Sequence, residues 1–388
     1  MNGSRWPTVA LEDVAPLVRR IVTVDLQRNY TEIGVRSFFR GTFHRRTVRG
    51  SEFTWQELFA VREGDLVFSN LMAWEGAVAV ATAEDAGCVG NHRMLTCEVD
   101  PTRAVPRFLY FYFRQPAGSA QLVAASPSSI ARNRTLGPAA LADLRIPLPS
   151  LAEQKRIVAR LDGAADRIAK RAAAAKKVEV ELGAMLQAAF RKLAGHRRVR
   201  LSEVMILRPT DTAVMPDEIY QFAGVYSFGR GVFRSVAKRG SETAYQRLTR
   251  LRQGNFVYPK LMAWEGALGI LPPICDGCFV SPEFPVFEID QDAVLPELLE
   301  LHFRDRANWP KSTGTNVRRK RVHPEEFLRL EMPLPPLKQQ EALAEACRKA
   351  ALALAAQRDA AEELDKLLPA LLHEAFGEGT AARPRAAA

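Results

Sequence analysis

Between Leu151 and about Leu193 the apolar positions recur at spacings of three and four: Ile157, Leu161, Ala164, Ile168, Ala175, Val178, Leu182, Met185 and Ala189. Such a stripe predicts one long helix with a single apolar face. Pro147-Leu148-Pro149-Ser150 cannot continue a helix, so the helix is expected to start near Ala152. The same pattern closes the chain after PLPPLKQQ at Pro333, with Leu343, Cys347, Ala350, Leu354, Ala361, Leu364, Leu368, Leu371 and Ala375. One shared position is polar in both stripes, Arg171 and Gln357. A helix of ~40 residues is a rod of about 60 Å, and a lone helix with one apolar stripe needs a partner. Each copy is the obvious partner for the other. The short connection from Lys192 to Val199 then requires the second helix to run back antiparallel.

Upstream of each stripe the periods are shorter. VALEDVAPLVRR reads as a short helix after a strand or turn, with VRLSEVMILRP at Val199 as its counterpart. The glycines and aromatics of Gly34–Phe43 predict strands joined by a tight turn. Gly64-Asp65 before LVFSN and Gly254-Asn255 before FVYPK place a turn ahead of a short apolar strand. Ala77–Ala81 and Met94–Val99 read as further strands, and RFLYFYFRQ at Arg107 and LLELHFRDR at Leu298 as amphipathic helices. Each upstream stretch is therefore expected to be α+β with a small, mainly antiparallel sheet.

These pairings are one internal repeat. LMAWEGA occurs at Leu71–Ala77 and again, unchanged, at Leu261–Ala267, 190 positions on. The same offset sets GVRSFFRGTF at Gly34 on GVYSFGRGVF at Gly224, with seven of ten positions identical. Past Arg114 and Arg304 the offset falls to 186, and LRIPLPSL at Leu144 meets LEMPLPPL at Leu330. The organisation read from this is a domain over 1–150, a helix over 151–196, a second domain over 197–336, a second helix over 337–377 and a disordered tail over 378–388. Two similar domains at the ends of an antiparallel helical spacer suit two separated half-sites on a duplex, and two non-identical domains suit two different half-sites.

Charge supports a polyanionic partner: the net charge of the 388 residues is +10, which favours nucleic acid over a membrane surface. No apolar run approaches the ~20 residues of a bilayer span, the N-terminus has no signal-peptide core, and five cysteines do not suggest a disulfide framework. The expected location is cytoplasmic. Catalytic signatures are missing. There is no Gly-Lys pair for a phosphate loop, no Asn/Asp-Pro-Pro-aromatic string for amino-methyl transfer, and Cys275-x-x-Cys278 has no second pair at zinc spacing. A buried pair of small residues is the reading for those cysteines.

Contact with a nucleic acid then falls to basic and polar loops. One candidate is SPSSIARNR, with Ser128, Ser129, Arg132, Asn133 and Arg134. Its counterpart is KSTGTNVRRKR, with Lys311, Thr313, Thr315, Asn316, Arg318, Arg319, Lys320 and Arg321. Such side chains reach phosphates, and Arg or Asn reads purine edges. The other candidate is the hairpin set Arg36, Arg40, Arg45 and Arg46, with Arg230, Arg234 and Lys238 in the second copy. Trp74-Glu75 and Trp264-Glu265 are identical between copies, which argues against base selection. The expected role is structural, with the tryptophan in the domain core and the glutamate bonded to a neighbouring backbone. Selection should lie where the copies diverge: Phe43–Trp55 against Phe233–Tyr245, Asn91–Thr96 against Ser281–Val286, and the two basic loops.

The repeated I/M-P-L-P-x-L-x-x-Q ahead of a long helix, LAEQKRIVARLD at Leu151, and the segments GVRSFFRG, GDLVFSN and AWEGA resemble the specificity subunit of type I restriction–modification systems. The resemblance runs from about Val9 to Phe376. It implies two target recognition domains, two conserved spacer helices and a bipartite, asymmetric site on double-stranded DNA. It further implies two docked modification subunits, which carry S-adenosylmethionine and methylate adenine at N6, and a restriction subunit in the larger complex. On this reading the chain itself is non-catalytic and holds neither cofactor nor metal. An architectural coiled-coil module that binds DNA or protein without sequence preference is the alternative class. One departure is that the second helix opens LKQQEAL where the first reads LAEQKRI.

Overall fold

The computed structural model describes residues 6–53, 57–127, 134–193, 195, 197–311 and 321–377. It divides into two compact units, one of Met1–Ala173 with Ala360–Ala388, the other Ala174–Asp359.

In the first unit the strands are β1 (Thr8–Ala10), β2 (Leu17–Val18), β3 (Asn29–Val35), β4 (Thr42–Arg49), β5 (Phe59–Ala60), β6 (Leu66–Ser69), β7 (Val78–Val80), β8 (Val89–Gly90), β9 (Met94–Cys97) and β10 (Arg145–Pro147). The helices are α1 (Pro106–Arg114), α2 (Pro116–Ala124), α3 (Pro138–Ala142) and the first part of α4 (Leu151–Leu193). One sheet runs β2-β9-β6-β7 and is antiparallel throughout. The other runs β4-β3-β8-β5, with β3 and β8 parallel. β1 pairs with β10, which leads into α4. VALEDV is not a helix. It is β1 followed by the single 3-10 turn Leu11–Asp13, because Leu11 donates to Leu144 across to the β10 side and the chain must then reach β2.

The second unit follows this order with two differences, an added edge strand (Thr212–Ala213) and a 3-10 turn (Arg306–Asn308) where the first has α2. Its strands are β11 (Arg198–Arg200), β12 (Met205–Leu207), β13 (Thr212–Ala213), β14 (Ile219–Val225), β15 (Val232–Arg239), β16 (Arg247–Arg250), β17 (Phe256–Val257), β18 (Gly269–Ile270), β19 (Phe279–Val280), β20 (Val286–Ile289) and β21 (Glu331–Pro333). Its helices are α5 (Pro296–Arg304), α6 (Pro324–Leu328) and the first part of α7 (Leu337–Phe376). The sheets are β12-β20-β17-β18 and β13-β16-β19-β14-β15, with β14 and β19 parallel, and β11 pairs with β21. Both hairpins carry a bulge at the same place, Thr31/Ile33 and Gln221/Ala223. Both put an outer strand, β4 or β15, at the sheet edge with mostly exposed Arg, Lys, His, Ser and Thr, which guards that edge against further pairing.

Each core gathers under the amphipathic helix. In the first unit all of Phe108–Phe113 is buried, and Ile157, Leu161, Leu368 and Leu372 complete the same cluster. Arg160 meets Glu374 at 2.6 Å there, so the start of α4 lies beside the end of α7. In the second unit Phe190, Leu343 and Ala344 join the core under α5, and Arg358 pairs with Glu179 at 3.2 Å. The α7 stripe is buried or half-buried at all nine expected positions. The α4 stripe is not: Val178 is 49% and Met185 68% exposed, while Leu186 and Phe190 face the core. A straight α-helix falls behind a seven-residue repeat by about 20° per heptad. Carried over four heptads from Ile157 the lag approaches one residue, so burial moves from Met185 to Leu186 and Phe190, while Ala189 stays half-buried against the core. Among the described residues no helix is long and apolar enough to cross a membrane.

Candidate nucleic-acid interface

The invariant LMAWEGA segment is the hub of each domain. It follows β6 or β17 as a 3-10 turn, Ala73–Glu75 or Ala263–Glu265, ended by Gly76 (φ 75°) or Gly266 (φ 74°). A side chain is excluded at that glycine twice over. The left-handed backbone disfavours it, and a Cβ would sit 2.4 Å from the Phe39 ring in one copy and 2.4 Å from the Trp309 ring in the other.

Two segments hang on the hub. The tip of the β3–β4 hairpin is fixed by the Phe38 amide donating to Glu75 O and the Phe39 amide to Gly76 O, both 2.8 Å, with Ser37 Oγ donating to Glu75 Oε2 at 3.1 Å. The second copy repeats all three: Phe228 to Glu265 O at 2.8 Å, Gly229 to Gly266 O at 2.9 Å, and Ser227 Oγ to Glu265 Oε2 at 3.3 Å. On the other side, the Leu136 amide donates to Asn70 O at 2.8 Å and the Val322 amide to Lys260 O at 2.9 Å. Each basic loop therefore re-enters the fold against the residues that open the hub.

Trp74 and Glu75 depart from expectation here. Trp74 is half-buried, not in the core, and its Nε1 donates to Leu71 O at 3.0 Å, as Trp264 does to Leu261 O at 2.8 Å. The Arg134 guanidinium lies 5.5 Å over the Trp74 ring. The glutamate side chain is bonded to a serine hydroxyl of the hairpin tip, while its backbone carbonyl takes the tip amide. The hub is too near the surface to bury an indole, because the turn exists to carry the two outer segments.

The expected contact residues divide by what already holds them. Arg36 donates to Thr42 O and stacks 5.0 Å from the Phe43 ring, and Arg40 lies 5.7 Å from the Phe38 ring. Arg230 donates to Ser227 O at 3.1 Å and stacks 4.9 Å from Tyr226. Arg45 on β4, and Arg234 and Lys238 on β15, are exposed. Arg46 is spent on Glu32 (2.6 Å), which raises its pKa above the usual guanidinium value, and Arg321 on Glu283 (3.0 Å). Lys311 is exposed. Ser128, Ser129, Arg132, Asn133, Thr313, Thr315, Asn316, Arg318, Arg319 and Lys320 lie outside the described residues. The hub thus brings Arg36, Arg40 and Arg134 onto one rigid turn in the first domain. Among the described residues no group of three or more His, Cys, Asp or Glu is placed to hold a metal.

Residues 3–180 match the model of the type I restriction modification DNA specificity domain. The second half repeats the sheets of the first, with β13 as one added edge strand and a 3-10 turn at Arg306–Asn308 in place of α2. The first half of the chain is thus similar to the type I restriction–modification DNA specificity domain. Solved structures agree in fold over the whole length. The HsdS subunit from Thermoanaerobacter tengcongensis is 20% identical, with 96% of this chain and 97% of that one covered and a TM-score of 0.55. A chain from a structure on complex assembly and conformational transition of the type I R-M system is 19% identical, with 96% and 98% covered and a TM-score of 0.66. The S subunit from M. genitalium is 12% identical, with 98% of each chain covered and a TM-score of 0.51. No curated protein sequence matches significantly. The comparisons thus show a shared fold along the chain and, over residues 3–180, a likeness to a DNA specificity domain.

Two features of this chain were not legible as roles in its sequence. The glutamine of each L-x-x-Q motif is a three-bond clamp between the long helix and its domain. Gln154 is fully buried. Its Nε2 donates to Arg103 O (3.0 Å) and Pro149 O (2.9 Å), and its Oε1 accepts from Val105 (2.9 Å). Gln340 does the same with Ala293 O (3.1 Å), Pro335 O (3.0 Å) and Leu295 (3.1 Å). Identity of the residue was the only available signal.

The second feature is a divergent support behind each hairpin. Buried Asp85 accepts from Thr42 Oγ1 (2.9 Å), Thr82 Oγ1 (3.0 Å) and the Thr82 amide (2.9 Å), with His44 Nε2 at 3.1 Å. Burial pushes its pKa up, but these four bonds outweigh burial and hold it below the usual carboxylate value. In the second domain Cys275 occupies that position. It is fully buried with Cys278 in an apolar cluster, and burial raises both thiols.

Proposed function

We propose that this chain is a DNA-specificity subunit that directs methylation to a bipartite, asymmetric DNA site, one half-site per domain. The supporting observation is the duplicated hub. In each domain one invariant turn carries a basic hairpin tip and the re-entry of a basic loop, while sequence divergence falls on the outer strand and on those loops. Exposed Arg and Lys give salt-dependent affinity for phosphates, and divergent side chains select bases. The chemistry belongs to partners: two modification subunits that bind S-adenosylmethionine and methylate adenine at N6, joined by a restriction subunit in the larger assembly. The long helices α4 and α7 are the platform for those subunits, and α4 sets the gap between half-sites.

The test is methylome sequencing of cells that express the chain with its modification subunit. A two-part adenine motif that disappears on deletion of the chain is expected. Methylation without any such motif would favour the architectural module and end the specificity reading. A seven-residue insertion at Ala172–Lys176 should lengthen the gap and leave both halves unchanged; a changed half-site would refute the spacer role.

A further inference from the structure

Both hairpins end in the same tip, Ser-Phe-x-Arg-Gly, at Ser37–Gly41 and Ser227–Gly231. Its first phenylalanine sits in the left-handed region in both domains, Phe38 at φ 60° and Phe228 at φ 65°. Among the described residues Phe38, Phe39 and Phe228 are the only non-glycine residues with positive φ. That backbone is strained for an L side chain and is kept only where the surroundings enforce it.

Phe39 has an internal reason: its ring fills the space over Gly76 and packs at 6.0 Å on Tyr110. In the second copy glycine replaces it, and Trp309 fills the same space. Phe38 packs on no ring among the described residues, and Phe228 reaches only the Trp309 ring, 6.5 Å away between centroids. They are 65% and 57% exposed. Yet their amides are bonded to the hub at 2.8 Å, so each ring is held out on a braced, strained support rather than on a free loop. Apolar residues of the hub are exposed alongside in both copies, Met72 at 45% and Met262 at 39%. Positive charge flanks each ring, with Arg40 at 5.7 Å from Phe38 and Arg306 at 6.0 Å from Phe228.

A strained, exposed aromatic kept in both domains, while the neighbouring outer strands diverge, fits a contact common to both half-sites. It cannot be the contact that distinguishes them. DNA offers one: apolar side chains wedge between base steps, and every base has a π face. We propose that Phe38 and Phe228 each enter a base step of their half-site as a sequence-independent wedge, with the adjacent arginines drawn to the flanking phosphates. This rests on the DNA-specificity reading above.

The test uses the full chain assembled with its modification subunits and a pool of randomised duplexes, from which bound species are sequenced. Phe38→Gly and Phe228→Gly remove the ring and suit the positive φ, so thermal midpoints should not fall. Should one fall, Phe38→Asn or Phe228→Asn, also tolerant of that backbone, replaces it. Affinity for the selected duplex should drop about tenfold per tip, with the selected motif unchanged and with Phe38→Tyr within about threefold of wild type. 2-Aminopurine scanned through the selected site should show a rise on binding that Phe38→Gly abolishes in one half-site only. Affinity within twofold of wild type, a changed motif, or a persisting rise would each overturn the wedge. A wild-type complex that selects no motif would instead overturn the DNA reading itself.

Discussion

Behind the same hairpin the two domains use opposite chemistry. In the first, a buried carboxylate at Asp85 ties down Thr42 and His44 of the outer strand. In the second, the corresponding residues are Cys275, Val232 and Arg234, and the cluster is apolar. A few residues away LMAWEGA does not change at all, and Gln154 and Gln340 make the same three bonds. The contrast separates two demands. Residues that place the contact segments and clamp the long helix are fixed. Residues of the outer strand vary together with the buried group that supports them, so a hairpin and its support are one exchangeable unit.

The clamp is the part held in common, so breaking it should cost most and cost the same in both domains. Gln154→Ala strands the Val105 amide and two carbonyls in a buried site, and Gln340→Ala strands the matching three groups. At about 1–3 kcal/mol for each unsatisfied buried group, discounted for relaxation, each variant should lose about 3–5 kcal/mol in denaturant unfolding. A loss in one variant only would mean that the two glutamines are not equivalent.

Making the first support resemble the second is the next largest change. Asp85→Cys leaves Thr42, Thr82 and His44 without their acceptor and should lose about 2–3 kcal/mol at pH 7. The triple variant with Thr42→Val and His44→Arg should recover more than half, because the stranded hydroxyl of Thr42 and the His44 imidazole go with it. The pH dependence has a fixed sign. Asp85 is depressed in the folded state, so its contribution is present above the ordinary carboxylate range and is lost as pH falls through the folded value. Wild type and Asp85→Cys should therefore converge below about pH 4. Stability curves that stay parallel into acid would remove the carboxylate from the account.

Tyr112 and His302 give a smaller contrast of the same kind. Tyr112 donates to Arg145 O at 3.0 Å, whereas His302, at the matching place in α5, is buried with its Nδ1 unpartnered among the described residues. Burial first, then the Arg198 charge, pushes His302 down to about 4. The unfolded chain takes up a proton near pH 6.5 that the folded chain refuses until about pH 4, so stability falls across that window. Between pH 7 and pH 5 the loss should be on the order of 2 kcal/mol. His302→Phe should lack that part of the pH dependence; an unchanged slope in equilibrium unfolding would show that His302 is not buried neutral.

The sequence made the duplication, the long helices and the hairpins legible, because each leaves a period or an exact match. It did not show which repeated residues are structural and which are presented. In LMAWEGA the tryptophan was expected in the core, yet it is only half-buried while both alanines are fully buried, since burial depends on the segments packed around each side chain. The heptad stripe placed Met185 inside because a seven-residue period was carried too far along a 3.6-residue helix. Gln154 lay within the motif, but three bonds to backbone atoms have no signature in side-chain pattern. The strain at Phe38 and Phe228 is likewise a backbone property.

The finest contrast lies along the outer strands, between cations already engaged and cations left to solvent. Arg46 is held by Glu32 at 2.6 Å, while Arg45 beside it is exposed with no ion pair among the described residues, as is Lys238 on the matching strand. A cation that neutralises a DNA phosphate releases a counterion, so its loss lowers the slope of log affinity against log salt by about one. Arg45→Ala and Lys238→Ala should each show that loss, with affinity at moderate salt reduced less than tenfold and no change in the selected bases. Arg46→Ala should change the slope by less than half as much, because binding a phosphate there first requires breaking the bond to Glu32. Filter-binding titrations of the assembled complex across a salt series decide it. Equal slopes for all three variants would mean that the Glu32 pair opens on contact with DNA, and that the edge strand presents its charges without regard to how they are held in the free protein.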